Sequence, residues 1–203
     1  MFSIDASNRR HGPILDQPRR RLGRRVAAIV LASAVCGGTT RAEELEITHL
    51  ANAGFLLAHD GTRVLIDGLF GGDLPGYPSL GESRRRELEA GRPPFDGVDL
   101  ALASHFHRDH FDADAVARFL AANPGAVFVS TPDAVDALLA VPGSAAIGQR
   151  AFGYMPPEGE RVTHPLDGIE LTIFNRHHGR TRPEIQNLGV LSGICGVEAL
   201  HVG

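Results

Sequence analysis

The sequence predicts a layered α/β fold. Three observations carry that expectation. A strand, helix, strand, helix succession runs from Val98 to about Ala140, the pattern that builds a sheet flanked by helices. A tight-turn dipeptide, Asp60-Gly61, separates two apolar runs near the start of the domain, which is a hairpin signal. Further short apolar runs then recur toward the end of the chain without a strong helical period.

In chain order, Glu46 to Leu50 alternates weakly and Gly54 to Ala58 is apolar. Arg63 to Ile66 is the return strand after Asp60-Gly61, giving an antiparallel opening meander. Gly68 to Gly81 is a Gly- and Pro-rich loop, Glu82 to Ala90 a short polar helix, and Gly91 to Gly97 another loop. Val98 to Ala103 is a buried strand in which only Asp99 is charged. Asp112 is placed to N-cap a helix to Ala122, which Asn123-Pro124-Gly125 stops. Ala126 to Ser130 is the next buried strand. Thr131-Pro132 opens a helix to about Ala140, with Pro in its first turn. Ile169 to Phe174, Leu188 to Leu191 and Val197 to Val202 read as three more strands.

The first 42 residues differ from the rest. They hold eight of the 20 Arg and two of the 24 acids, so the remaining 161 residues are acidic, at net −10. Arg19-Arg20-Arg21 and Arg24-Arg25 precede the apolar run Val26 to Val35, and small residues lead to Ala42. That is the order of an export signal, with cleavage expected after Ala42 and the protein then periplasmic or secreted. A buried helix or a basic tail is the alternative, and the Arg pairs leave Sec and twin-arginine export both open. The run is too short to span a bilayer, which takes about 20 residues. Residues 43–203 are then the domain, and no transmembrane span is expected in it. Its acidic charge argues against nucleic acid as a partner and for a small-molecule substrate. Two cysteines, Cys36 and Cys195, are too few for a disulfide framework.

The chemistry is concentrated after the strand Val98–Ala103, where the chain reads Ser104-His105-Phe106-His107-Arg108-Asp109-His110. Four metal-capable side chains fall within six residues. In extended chain, His105 and His107 point to one side and can share one ion. A turn at Arg108 would carry Asp109 and His110 to a second point, the layout of a two-metal site.

This HxHxDH pattern resembles the signature of the metallo-β-lactamase fold superfamily of metal-dependent hydrolases. The resemblance covers roughly Glu46 to Gly203. The opening Ile47-Thr48-His49-Leu50-Ala51-Asn52-Ala53-Gly54-Phe55-Leu56-Leu57 looks like that family's first hairpin. Val64-Leu65-Ile66-Asp67 looks like the strand whose Asp supports the metal loop. His178-Gly179, Asn187-Leu188-Gly189 and His201-Val202-Gly203 are similar to segments of the ascorbate-6-phosphate-lactonase-like and related uncharacterised branches.

The resemblance implies an αββα sandwich binding one or two zinc ions, with other divalent metals as alternatives. It implies His105 and His107 as ligands of the first ion, with His178 as the third and His177 as the alternative. It implies Asp109 and His110 as ligands of the second ion, and Asp109 as the catalytic group that orients the nucleophile or accepts its proton. In the family, a bridging Asp follows the last Gly, which here would be position 204, and a later His completes the second site. The expected domain is therefore incomplete at its C-terminus. The implied activity is hydrolysis of a small-molecule ester, lactone, amide or phosphoester by a metal-bound hydroxide. The alternatives are a truncated metal-binding fragment without turnover and an exported zinc-binding module.

Outside the loop, His49 is expected to be a packed or half-exposed strand residue and His59 a turn residue. His164 is expected in an exposed loop and His201 in a structural role. Arg84-Arg85-Arg86 reads as a solvated helix face, with an anion clamp as the alternative; Arg180 and Arg182 are better placed for that clamp. Cys195 reads as a small core residue.

Overall fold

The computed structural model describes residues 44–72, 74–166, 169–177 and 186–192. The expected leader, the strand at 197–202, and His178, Arg180, Arg182, Cys195 and His201 lie outside those residues. So does the chain end on which the expectation of an incomplete domain rests.

The opening meander forms as expected. Strand β1 (Glu46–Ala51) pairs antiparallel with β2 (Gly54–His59), and β2 with β3 (Thr62–Ile66). Asp60 and Gly61 both take positive φ, +45° and +78°, which is the tight hairpin turn that suits the strand twist. The chain then switches to parallel pairing, β3 with β4 (Leu100–Leu102), β4 with β5 (Val127–Ser130), and β5 with β6 (Ala151–Gly153). The result is one six-stranded mixed sheet in sequence order. Helices α1 (Glu82–Glu89), α2 (Ala113–Ala122) and α3 (Pro132–Leu139) supply the crossovers that parallel neighbours require.

A second sheet is antiparallel and contains β7 (Arg161–Leu166), β8 (Ile169–His177) and β9 (Gln186–Ser192). Alternation along the strands sends side chains to two separate cores. Leu56, Leu65, Ala101 and Phe128 face the helices, where they meet Val116, Phe119 and Leu120 of α2 and Leu138 of α3. Leu57, Val64, Ile66, Leu100, Leu102 and Val129 face the second sheet and meet Leu166, Ile169, Leu171 and Ile173. The architecture is thus helices on sheet on sheet. Each fully buried Leu, Ile or Phe contributes about 1.5–3 kcal/mol by leaving water. Among the described residues no helix covers the outer face of the second sheet, so the fourth layer of the expected sandwich is not seen among them.

The helix ends follow the sequence. Asp112 caps α2, its carboxylate accepting the Ala115 N–H at 2.7 Å. Thr131 caps α3 and Pro132 sits in its first turn. The C-terminus of α2 is held in a way the sequence does not announce. The Arg150 guanidinium donates to the carbonyls of Leu120, Asn123 and Ala126 at 2.6, 3.1 and 2.6 Å and so satisfies carbonyls the helix leaves unpaired. On α1, Arg84 pairs with Glu87 and Arg86 with Glu82, the exposed ladder expected of a solvated face. Arg85 is half-buried instead and lies against Gly72.

The sequence assigns no element to 141–166, and two of its expectations are corrected. The segment 141–166 holds a 3₁₀ turn (Ser144–Arg150), β6 and β7. His59 is buried at the end of β2 and not a turn residue. His164 lies on β7, half-buried, with its ring 4.3 Å from that of Tyr154. Burial pushes the His164 imidazole below the usual histidine value and the Tyr154 phenol above its own. No helix among the described residues is long and apolar enough to cross a membrane.

Candidate metal centre

The loop after β4 leaves the C-terminal edge of the parallel strands, where open α/β sheets present ligand sites. Its entrance is fixed by Asp67, the residue that follows β3. Asp67 is 2% exposed and adopts φ +44°, a left-handed conformation that Asp tolerates better than most residues. Its N–H donates to Leu102 O at 2.9 Å, which continues the β3–β4 pairing to the strand end.

The Asp67 carboxylate gathers the loop. Oδ1 accepts the Ser104 N–H at 2.7 Å. Oδ2 accepts the Ser104 hydroxyl at 2.9 Å and His110 Nδ1 at 2.8 Å. The Ser104 Oγ in turn lies 2.9 Å from His105 Nδ1. With the hydroxyl donating to Asp67, His105 donates to the hydroxyl from Nδ1. Both His105 and His110 therefore spend Nδ1 on the protein and keep the lone pair on Nε2. That is the arrangement in which outer hydrogen bonds set the tautomer of a metal-binding imidazole.

The four donors fall into two pairs. His105 Nε2 and His107 Nδ1 approach to 2.9 Å. His110 Nε2 and Asp109 Oδ2 are 3.3 Å apart. Two ligands bound at about 2.0–2.1 Å in tetrahedral geometry would sit about 3.3–3.4 Å from each other. The second pair has that spacing already and the first needs only a small opening. The rings of His105 and His110 are 4.3 Å apart, so the pairs adjoin. The turn that brings them together is closed by His107 O, which accepts the N–H groups of His110 and Phe111 at 2.9 and 2.8 Å. Among the described residues no three donors close around one point. The expected third donor to the first pair, His178, lies outside them; His177 ends β8, without a described side chain. The donor types suit a divalent ion, the tautomers of His105 and His110 leave Nε2 to it, and the Asp109–His110 spacing is that of two ligands on one ion.

Electrostatics agree with the geometry. Burial opposes charging of His110, but the hydrogen bond to Asp67 and the charges of Asp67 and Asp109 outweigh it. The imidazole is held above its ordinary value. A cation at Nε2 would compete with that proton for the same negative surroundings. Phe106, between the two His, is 45% exposed and faces outward, with its ring 5.6 Å from that of His107.

The structure adds two residues that sequence reasoning did not single out. Ser104 relays Asp67 to His105. Asn52, in the β1–β2 turn, donates from Nδ2 to Asp109 O at 2.9 Å. A positive φ at a turn Asn is the kind of local signal that marks such a position, but its partner is 57 residues away and leaves no local trace. His49 is exposed on β1, with its Nε2 2.9 Å from Asn52 O.

No protein-family model matches the chain, and no curated relative matches it. Solved structures do align with it. A candidate metal-dependent hydrolase from Parabacteroides distasonis aligns at TM-score 0.49 and 15% identity, over 77% of this chain and 59% of that one. Igni18, a novel metallo hydrolase from Ignicoccus hospitalis, aligns at 0.46 and 17%, over 78% and 60%. CmlA, a diiron β-hydroxylase from Streptomyces venezuelae, aligns at 0.45 and 19%, over 75% and 28%. The chain thus spans about three fifths of the length of the first two.

Proposed function

We propose that this chain is a metal-dependent hydrolase acting on a small-molecule ester, lactone, amide or phosphoester, with zinc as its ion. One observation carries the reading. Four donors on one loop form two adjoining pairs, and the tautomers of His105 and His110, one in each pair, are set by hydrogen bonds to Ser104 and Asp67. His105 and His107 would hold one ion and Asp109 and His110 a second, with His178 as the further donor to the first. A bound divalent ion supplies Lewis-acid polarisation and lowers the pKa of water to near neutrality.

The chain's own residues do the rest. Asp109, beside His110 Nε2, is placed to orient the attacking water and to take its proton on a carboxylate oxygen. Asp67 keeps the His110 proton on Nδ1, so that Nε2 stays directed at the site. Ser104 does the same for His105. The acidic charge of residues 43–203 and the leader-like residues 1–42 support a small molecule met outside the cytoplasm.

The test is elemental analysis of the full chain beside a His105→Ala/His107→Ala variant, followed by ester, lactone and phosphodiester probes. About one zinc or more per chain is expected, lost in the variant, with hydrolysis reduced at least about 100-fold. Equal metal in both proteins would overturn the site. Zinc binding without turnover of any probe would leave a zinc-binding module in place of a hydrolase.

A further inference from the structure

We infer that Asn52 is a positioning residue that fixes the Asp109–His110 donor pair from outside the metal loop. The inference rests on the metal-hydrolase reading above and assigns a further part of that site to the β1–β2 turn. Three of the four donors or their immediate neighbours are already tied to the protein through Asp67, Ser104 and the turn at His107. Asp109 is different. Its carboxylate faces His110 Nε2 at 3.3 Å, and its main chain is anchored by Asn52 Nδ2 to the carbonyl oxygen at 2.9 Å.

The turn is built to make that reach. Asn52 takes φ +47°, a conformation open chiefly to Gly, Asn and Asp, and this lets a short amide side chain project from a tight turn. Its own carbonyl lies 2.9 Å from His49 Nε2, so the turn is braced from β1. Gly54 lets the turn sit close against the end of β3. A Cβ there would stand 2.9 Å from Ala51 O and 3.1 Å from Asp67 O, both backbone atoms that cannot swing aside. The same turn therefore abuts Asp67, which holds His110, and hydrogen-bonds Asp109. It holds the peptide that joins Asp109 to His110, and so the orientation in which the second pair leaves the main chain. Outer hydrogen bonds of this kind are typically worth 10- to 100-fold in metal affinity.

The test uses the full chain, stripped of metal and titrated with zinc against a chromophoric chelator. Wild type is compared with Asn52→Gly and Asn52→Asp. Gly keeps the positive φ and removes the donor. Asp keeps the shape and turns an acceptor toward the Asp109 carbonyl. Both variants should bind zinc about 10-fold or more weakly, with the metal-free melting temperature within about 3 °C of wild type. Unchanged affinity in both variants would overturn the role of Asn52 and leave the metal site standing. A large fall in metal-free melting would also overturn it, in favour of a role in folding alone. A wild-type chain that takes up no zinc would overturn the metal-hydrolase reading and this inference together.

Discussion

Asp67→Ala should destabilise the metal-free protein by about 3–5 kcal/mol and weaken metal binding by 10- to 100-fold. The stability loss has two sources. The carboxylate accepts from Ser104 N, Ser104 Oγ and His110 Nδ1. Removing this carboxylate, itself 2% exposed, strands the Ser104 N–H at about 1–3 kcal/mol, while the Ser104 hydroxyl and His110 Nδ1, 3.3 Å apart, can turn to each other. Ala at φ +44° adds about 1–2 kcal/mol, because its Cβ crowds the following carbonyl. Asp67→Asn separates the two sources, since Asn tolerates the conformation and fails mainly in its hydrogen bonding. Urea unfolding of the metal-free chain, with chelator competition on the same samples, measures both quantities. A loss under about 1 kcal/mol in Asp67→Ala would mean the loop finds other acceptors, and that this carboxylate does not hold it.

Phe128→Ala should cost about 3–5 kcal/mol, the range for emptying an aromatic site in a packed core. Phe128 is 1% exposed on the helix-facing side of β5. Its ring stacks on Phe111, with centroids 6.0 Å apart, and Phe111 directly follows His110. The cavity would thus open beneath the exit of the metal loop. Zinc affinity should fall together with stability in this variant. Val129→Ala, on the opposite face of the same strand, should lower stability with little change in affinity. Thermal or urea unfolding with and without zinc distinguishes them. Equal effects of both variants on affinity would show that the Phe111–Phe128 contact has no special hold on the loop.

What the sequence reveals depends on how local the cause is. The Asp60-Gly61 turn, the Asp112 cap and the Thr131-Pro132 helix start are each decided within a few residues, and they stand where the sequence places them. The strands Leu100–Leu102 and Val127–Ser130 are legible because both of their faces are buried and therefore apolar. The segment 141–166 is opaque for the opposite reason. β6 is three residues long, and β7 (Arg-Val-Thr-His-Pro-Leu) carries a Pro and polar alternate positions. Pro is tolerated there because, among the described residues, β7 is an edge strand of its sheet. His164 looks like a loop residue in sequence and is half-buried because its face of β7 turns toward the first sheet.

The site divides along the same line. The donor loop 105–110 is compact in sequence, so its residue types and period announce two pairs. Asp67 is reached through the family resemblance. Ser104, Asn52 and the Arg150 contacts have no such mark, since each is an accident of tertiary approach across tens of residues.

The pairing order has a consequence for how the site comes into being. β1, β2 and β3 join through short hairpins, whereas β3 meets β4 only after the chain returns across α1. The Ser104–Asp67 and Asn52–Asp109 contacts span 37 and 57 residues. Such distant closures are slow because loop entropy is lost before any contact compensates it. We expect the donors to be completed only after that closure. An ion that recognises only the assembled donors would slow unfolding and leave the refolding rate nearly unchanged. Stopped-flow refolding and unfolding at several zinc concentrations should show the unfolding limb shifting alone. Acceleration of refolding by zinc would place the loop in the folding nucleus instead.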